Sequence, residues 1–173
     1  AALQDLGMKG GALETRFERT ALTKNGIDRV EFLLTANPGE RPKPLRQVAS
    51  GGEMSRVMLA IKTVLASVDK IPVLVFDEID AGVGGAVANK VAQRLRELAA
   101  THQTICITHL PQIAAAATAH FTVEKSTSKG RTSTGVRYLE RSERTKEVAR
   151  LLDGSLSDVS LKHAAELLKA NHS

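Results

Sequence analysis

The sequence predicts an α/β fold, with a central sheet of parallel strands flanked by helices and β-hairpins at the periphery. Three observations carry that prediction. The hydrophobic periodicity of the middle of the chain reads helix, strand, helix, strand, helix, as expected for parallel strands joined by helical crossovers. Val73–Phe76 is an unbroken apolar run between Pro72 and a cluster of acids, the pattern of a strand covered on both faces. Two partly alternating segments meet at Asn25-Gly26, a strong hairpin signal.

Composition sets the bounds. At 173 residues, 42% of them hydrophobic, the chain is long enough to bury a real core. Aromatic residues make up only 3% and Trp is absent, so the core is aliphatic. One cysteine, Cys106, rules out an intramolecular disulfide framework and fits a reducing compartment. Its place in the middle of an expected strand, Gln103–Thr108, marks it as a core residue. No apolar run reaches the roughly 20 residues of a membrane span, and no signal-peptide pattern opens the chain. The first residue is Ala rather than Met, which leads us to expect a piece of a longer protein.

Taken in order, residues 1–9 read as the tail of a helix stopped near Gly7, Gly10 and Gly11. Ala12–Leu22 and Ile27–Ala36 are the hairpin strands, the second with one face buried. Asn37–Val48 holds three of the five prolines and is expected to be mostly irregular. From Met54 an apolar stripe (Met54, Val57/Met58, Ile61, Val64/Leu65, Val68) marks a helix ending near Ile71-Pro72. Val87, Val91, Leu95 and Leu98 mark a second helix, with Lys90, Arg94, Arg96 and Glu97 outside.

Gln103–Thr108 is the second buried strand and ends in His109. A short Ala-rich helix, Leu110–Ala117, follows. Then come strands Ala119–Lys125 and Gly135–Arg141, joined by a Ser/Thr/Gly-rich turn. Ser142 is the expected cap of a helix to Leu152 that stops at Asp153-Gly154. In a last helix, about Ser157–Ala170, Leu161, Ala165 and Leu168 point inward.

The net charge of +5 is unevenly placed: residues 120–150 carry eight Lys/Arg against four Glu. That excess suits either contacts to a phosphate backbone or a solvated hairpin. Phe121 and Tyr138 are its only aromatics, too few for a base-stacking platform.

Two stretches carry candidate chemistry. Asp77 and Glu78 close the apolar run, at the carboxyl edge where open α/β sheets bind ligands. An Asp there suits Mg²⁺ held through water, and the next carboxylate suits the polarisation of an attacking water. Solvated acids at a strand exit are the alternative. Ser50-Gly51-Gly52-Glu53 opens the first long helix. Ser50 and Glu53 have capping-box spacing. The glycines, each costing roughly 1 kcal/mol in a helix relative to Ala, would let an anion approach the free N–H groups at the positive helix end. His109 stands at a third strand edge, whereas His102, His120, His163 and His172 read as structural. GxxxxGK[ST] is absent, so no loop of this chain cradles the α- and β-phosphates, and Lys9 in GMKGG has the wrong spacing.

In this order and spacing, SGGEM, VLVFDE, AGVGG and THLPQ resemble the signature motif, Walker B strand, D-loop and switch-histidine segment of an ABC/SMC-type ATPase head, C-terminal lobe. PLRQVASGGEMSR, FDEIDAGVGG and ITHLPQIAAAA narrow the resemblance to the branch serving bacterial recombinational DNA repair. The similarity runs from about Asn25 to Gly154.

The resemblance implies ATP and Mg²⁺ as cofactors, with Asp77 coordinating Mg²⁺ through water, Glu78 as general base and His109 sensing the γ-phosphate. Ser50, Gly51, Gly52 and Glu53 would meet the γ-phosphate of ATP held by an opposing head, and Asp80, Ala81 and Gly82 would form the D-loop region. The implied partners are an N-terminal Walker A lobe and coiled-coil arm of the same protein, a second head in an ATP-dependent homodimer, and DNA. Residues 1–9 would then end the arm and residues 10–173 form the lobe, in a cytoplasmic, nucleoid-associated protein with no membrane partner.

Two departures stand out: Ala49 replaces the usual signature Leu, and Gly84 the usual D-loop Asp, with Gly82, Gly84 and Gly85 suggesting a flexible D-loop. A non-enzymatic dimerisation or DNA-binding module is the rival expectation, and a transporter ATPase subunit a third.

Overall fold

The computed structural model describes residues 2–48, 50–128 and 130–171. Ala49, Lys129 and His172 therefore lie outside the described residues. The chain divides into two compact units, Ala1–Ile107 and Thr108–Ser173.

The first unit opens with a short helix, α1 (Ala2–Asp5), which Gly7 terminates in the left-handed region at φ 88°. Leu6 and Met8 are buried immediately after it. Strands β1 (Ala12–Thr23) and β2 (Gly26–Thr35) pair antiparallel across Lys24-Asn25, with Gly26 at φ 105°. A two-residue β3 (Lys43–Pro44) adds to β2, and a 3₁₀ turn (Leu45–Gln47) leads toward α2 (Gly51–Leu65). The expected buried face of the second strand exists only at its end. Leu33 and Leu34 are buried, but Val30 and Phe32 are about half exposed because the ribbon extends past the helices.

The core sits where α2 and α3 (Gly85–Ala99) pack on the strands β4 (Val73–Phe76) and β5 (Gln103–Cys106). β4 and β5 pair in parallel, Val73 with Gln103 through Phe76 with Cys106, so the predicted parallel arrangement holds. Burial on both faces does not. Leu74 and Phe76 point into the core, while Val75 is 63% and Ile107 57% exposed, because the helices of this unit cover one face of a two-stranded sheet.

The α2 stripe is also corrected. The buried residues are Gly52, Arg56, Val57, Leu59 and Ala60, whereas Val64 and Val68 are exposed. The helix stops at Leu65, six residues before Ile71; Asp69 then accepts the Ile71 N–H and pairs with Lys62. α3 follows expectation, with Val91, Leu95 and Leu98 buried and Arg94 bridging Asp5 and Glu97.

The second unit holds α4 (Pro111–Ala116), the hairpin β6 (Phe121–Ser128) and β7 (Arg131–Tyr138), and helices α5 (Arg141–Asp153) and α6 (Asp158–Asn171). Its three helices share a cluster of Ala115, Val148, Ala149 and Ala164, flanked by Leu152, Leu161, Leu167 and Leu168. Ala164 takes the inward place expected of Ala165, which is exposed. The Ser/Thr-rich segment is strand rather than turn. Cross-strand hydroxyl pairs (Ser126 with Ser133 at 2.8 Å, Thr127 with Thr132 at 3.2 Å) carry the ladder almost to Gly130. Glu140, not Ser142, caps α5, its N–H held by Glu143 at 3.0 Å, and Gly154 ends the helix at φ 76° as expected.

Several basic residues of 120–150 are internally engaged. Arg137 pairs with Glu143 and Glu124, Arg150 with Glu147, and Arg144 donates to the carbonyls of Ala117 and Thr118.

Candidate functional site

The first unit brings the helix start Ser50–Glu53 against the loop that follows β4. Ser50 has extended backbone, and its Oγ accepts the Glu53 N–H at 3.3 Å, one half of the expected capping box. The first intrahelical bond runs from Met54 N–H to Ser50 O at 3.0 Å, so the N–H groups of Gly51 and Gly52 precede the ladder at the positive helix end.

The glycines have a second function that the sequence did not reveal. A Cβ at Gly51 would collide with Oε2 of Glu78. A Cβ at Gly52 would stand 2.8 Å from the Ala81 Cβ and 2.9 Å from the Glu78 carbonyl oxygen. At position 52 only glycine lets α2 lie this close to the Glu78–Ala81 loop.

That loop begins where β4 ends. Asp77 is exposed, and its Oδ1 accepts the Glu78 N–H at 2.8 Å. Glu78 is the one non-glycine described with positive φ, at 55°, a conformation costing an ordinary residue about 1–2 kcal/mol. Ala81 N–H donates to Glu78 O at 2.9 Å and Val83 N–H to Asp80 O at 3.3 Å, with Gly82 left-handed at φ 71°. The loop is thus two successive hydrogen-bonded turns. Gly84 caps α3 and Gly85 begins it, so two of the three glycines expected to loosen this segment serve a helix start. Ile79 is fully buried and Asp80 nearly so, while Ala81 and Gly82 are exposed.

Side chains of α2 hold the loop in this shape. Ser55 Oγ donates to the Asp77 carbonyl at 2.6 Å. Arg56, 7% exposed, donates from Nη1 to the carbonyls of Ala81 at 2.9 Å and Ile79 at 3.3 Å. Burial lowers its guanidinium pKa, against the opposing field of Glu53. Neither residue was singled out from sequence. The available signal was a charged side chain one helical turn from Gly52 and one from Ala60, on the small-residue face of α2.

Cys106 lies at the end of β5 rather than mid-strand, and it is half-buried. Its thiol is pushed up to about 12, first by burial and then by the Asp80 and Asp77 carboxylates. His109 belongs to the second unit, exposed in the irregular segment ahead of α4, where Thr108 Oγ1 accepts the Leu110 N–H at 3.0 Å. Of the histidines read as structural, His102 is buried with Nδ1 2.8 Å from Thr101 Oγ1, and His120 is half-buried. Among the described residues no three His, Cys, Asp or Glu side chains gather to hold a metal ion, and no helix is long and apolar enough to cross a membrane.

No family model matches the chain. Among curated proteins it is 51% identical over 160 residues to a protein named DNA repair protein RecN from Treponema pallidum, covering 90% of this chain and 28% of that protein. The protein of the same name from Deinococcus radiodurans is 48% identical over 171 residues, covering 97% of this chain and 30% of the relative. The sequence is RecN-like.

The RecN-like chain spans roughly a third or less of the length of the relatives it matches (26% to 32%). Its fold is that of SMC ATPase heads. It superposes on the Smc head domain with coiled coil and joint from Pyrococcus yayanosii with a TM-score of 0.60 at 24% identity, over 88% of this chain and 28% of that one. A structure of an Smc head bound to the C-winged helix domain of ScpA gives a TM-score of 0.51 at 25% identity, over 81% of this chain and 41% of the other.

Proposed function

We propose that this chain is the C-terminal catalytic half of an ATP-hydrolysing head in a RecN-like protein of DNA double-strand-break repair. One observation carries the reading furthest: Ser50–Gly52 at the start of α2 and Asp77-Glu78 at the carboxyl end of a parallel strand are built onto each other as one rigid element. Glu78 takes the proton of the water attacking the γ-phosphorus. Its exposed carboxylate and strained backbone suit a group held for chemistry rather than packing. Ser50 Oγ and the N–H groups of Gly51 and Gly52 donate to γ-phosphate oxygens of ATP held by the opposing head. His109 serves as the sensor of a γ-phosphate.

Asp77 is the protein's own donor for Mg²⁺, which needs only one or two carboxylates when water and phosphate oxygens complete its shell and which would offset phosphate charge. Asp77, exposed at the end of β4, offers one such carboxylate. The Walker A loop comes from another segment of the same protein, and two heads close around two ATP molecules. DNA is the ligand of the assembled protein.

Glu78→Gln in the complete protein tests the base. ATP binding is expected to persist while turnover drops about 10²–10⁴-fold, the usual worth of such a group, and dimerised heads accumulate on size-exclusion chromatography with ATP. Wild-type turnover from that variant removes Glu78 from the role. The missing GxxxxGK[ST] favours a second reading for the chain by itself, a non-enzymatic dimerisation or DNA-binding module. Co-expression with a Walker A-bearing segment decides between them: ATPase activity restored in the mixture supports the first reading, and none the second.

A further inference from the structure

We infer that Arg56 is a positioning residue that locks the loop after β4 to the helix start, so that whatever binds at Ser50–Gly52 also sets the aim of Glu78. The inference rests on the ATPase reading above for its functional consequence, but its geometry stands on the contacts alone. Glu78 at φ 55° and Gly82 at φ 71° bracket the segment whose Ile79 and Ala81 carbonyls both reach one nitrogen of Arg56. A side chain in a sparsely populated backbone region persists only where its surroundings over-determine it. Here the over-determination comes from a single helix: Gly52 against Ala81 and the Glu78 carbonyl, Ser55 on the Asp77 carbonyl, and Arg56 on the next turns of the loop.

The choice of residue is informative. A guanidinium 7% exposed, with Nε buried and bonded to nothing, is an expensive way to tie down a loop, because a buried charge without a paired carboxylate is disfavoured. A buried apolar side chain would serve packing better. What arginine adds is a rigid donor long enough to span from α2 to two carbonyls at once. It also makes the helix and the loop move together. If Ser50–Gly52 engage the phosphate of one ATP while Glu78 serves another, Arg56 is the link through which occupancy of one site reaches the other.

The test uses the full-length protein with Arg56→Met and Arg56→Lys, measuring ATP affinity, kcat and KM, and amide hydrogen exchange over residues 78–83. Arg56→Met is expected to lower kcat about 10–100-fold, the cost of misplacing a reacting group by about an ångström, while ATP affinity stays within about threefold. Exchange over 78–83 rises at the same time, with exchange in α3 unchanged. Arg56→Lys recovers part of both. If Arg56→Met fails to fold, the Lys variant carries the test, since a lost bond to one carbonyl still predicts reduced kcat at unchanged affinity. Unchanged kcat in a folded variant, or losses of kcat and ATP affinity in parallel, overturns the positioning role. The exchange data separate the two ideas: loosening of 78–83 in a protein whose wild type hydrolyses no ATP leaves the clamp standing and removes the ATPase reading.

Discussion

Replacing Gly51 and Gly52 by alanine, one at a time, should move stability in opposite directions. Both substitutions remove backbone freedom at the first turn of α2, which by helix propensity alone gains up to about 1 kcal/mol. At Gly51 the new Cβ meets only the end of the Glu78 side chain, which can swing away, so a net gain of about 0.5–1 kcal/mol is expected. At Gly52 it meets the Ala81 Cβ at 2.8 Å and the carbonyl oxygens of Glu78 and Ala81 at 2.9 and 3.1 Å. Two of these are backbone atoms of the loop, the Ala81 oxygen held by Arg56 and the Glu78 oxygen by the Ala81 N–H, so the loop itself must shift. Overpacking of that kind costs about 1–3 kcal/mol, leaving a net loss of about 1–2 kcal/mol. The two variants thus differ by about 2 kcal/mol, which at a urea m-value of about 1–3 kcal/mol/M separates their midpoints by roughly 1 M. Urea titration followed by circular dichroism at 222 nm measures this. A Gly52→Ala midpoint at or above that of Gly51→Ala would refute the close approach of α2 to the loop.

Two further outcomes follow from titrating groups. With its thiol pushed up to about 12, Cys106 is almost wholly protonated at pH 8, so iodoacetamide should label the folded protein at least a hundredfold more slowly than the urea-unfolded chain; labelling at the unfolded rate would place the thiol in solvent. His120 is held below its ordinary 6.5, first by burial and then by Arg144, with Glu147 opposing. A depressed imidazole stabilises the fold fully above the unfolded value and loses that contribution as pH falls below about 6.5. Thermal melts between pH 7.5 and 5 should therefore show a decline that His120→Gln flattens, and an equal slope in the variant would exclude His120 as its source.

Much of this was legible in the sequence because it depends on local rules. Asn25-Gly26 fixed a hairpin, Gly154 a helix end, and the strand patterns at 73–76 and 103–106 a parallel pair. The candidate carboxylates and glycines were legible as well, through chain order and spacing. What local rules missed depends on neighbours distant in sequence. Val75 reads as core, but whether it is covered depends on how many layers pack on the sheet. Glycines at a helix start suit anion approach and close backbone packing equally well, and only the position of Ala81 reveals the second. Arg56 looks like a surface residue until the carbonyls of Ile79 and Ala81 are placed beside it. Ser142 lost the capping position to Glu140 because Glu143 sits at the right distance to close the box on Glu140.

The parallel pairing of β4 with β5 also sets a clock. Val73 meets Gln103, thirty positions later, and among the described residues no nearer strand pairs with β4. During synthesis at about 5–20 residues per second, β4 leaves the ribosome roughly 1.5–6 seconds before its partner. For that interval Val73–Phe76 is an apolar strand without its partner, and the Asp77-Glu78 turn hangs from the end of an unpaired strand. α3, which is local, forms far sooner than the strands can meet. The segment bearing the candidate chemistry is therefore among the last parts of the first unit to take shape in a nascent chain, and the stretch most in need of shelter while it waits.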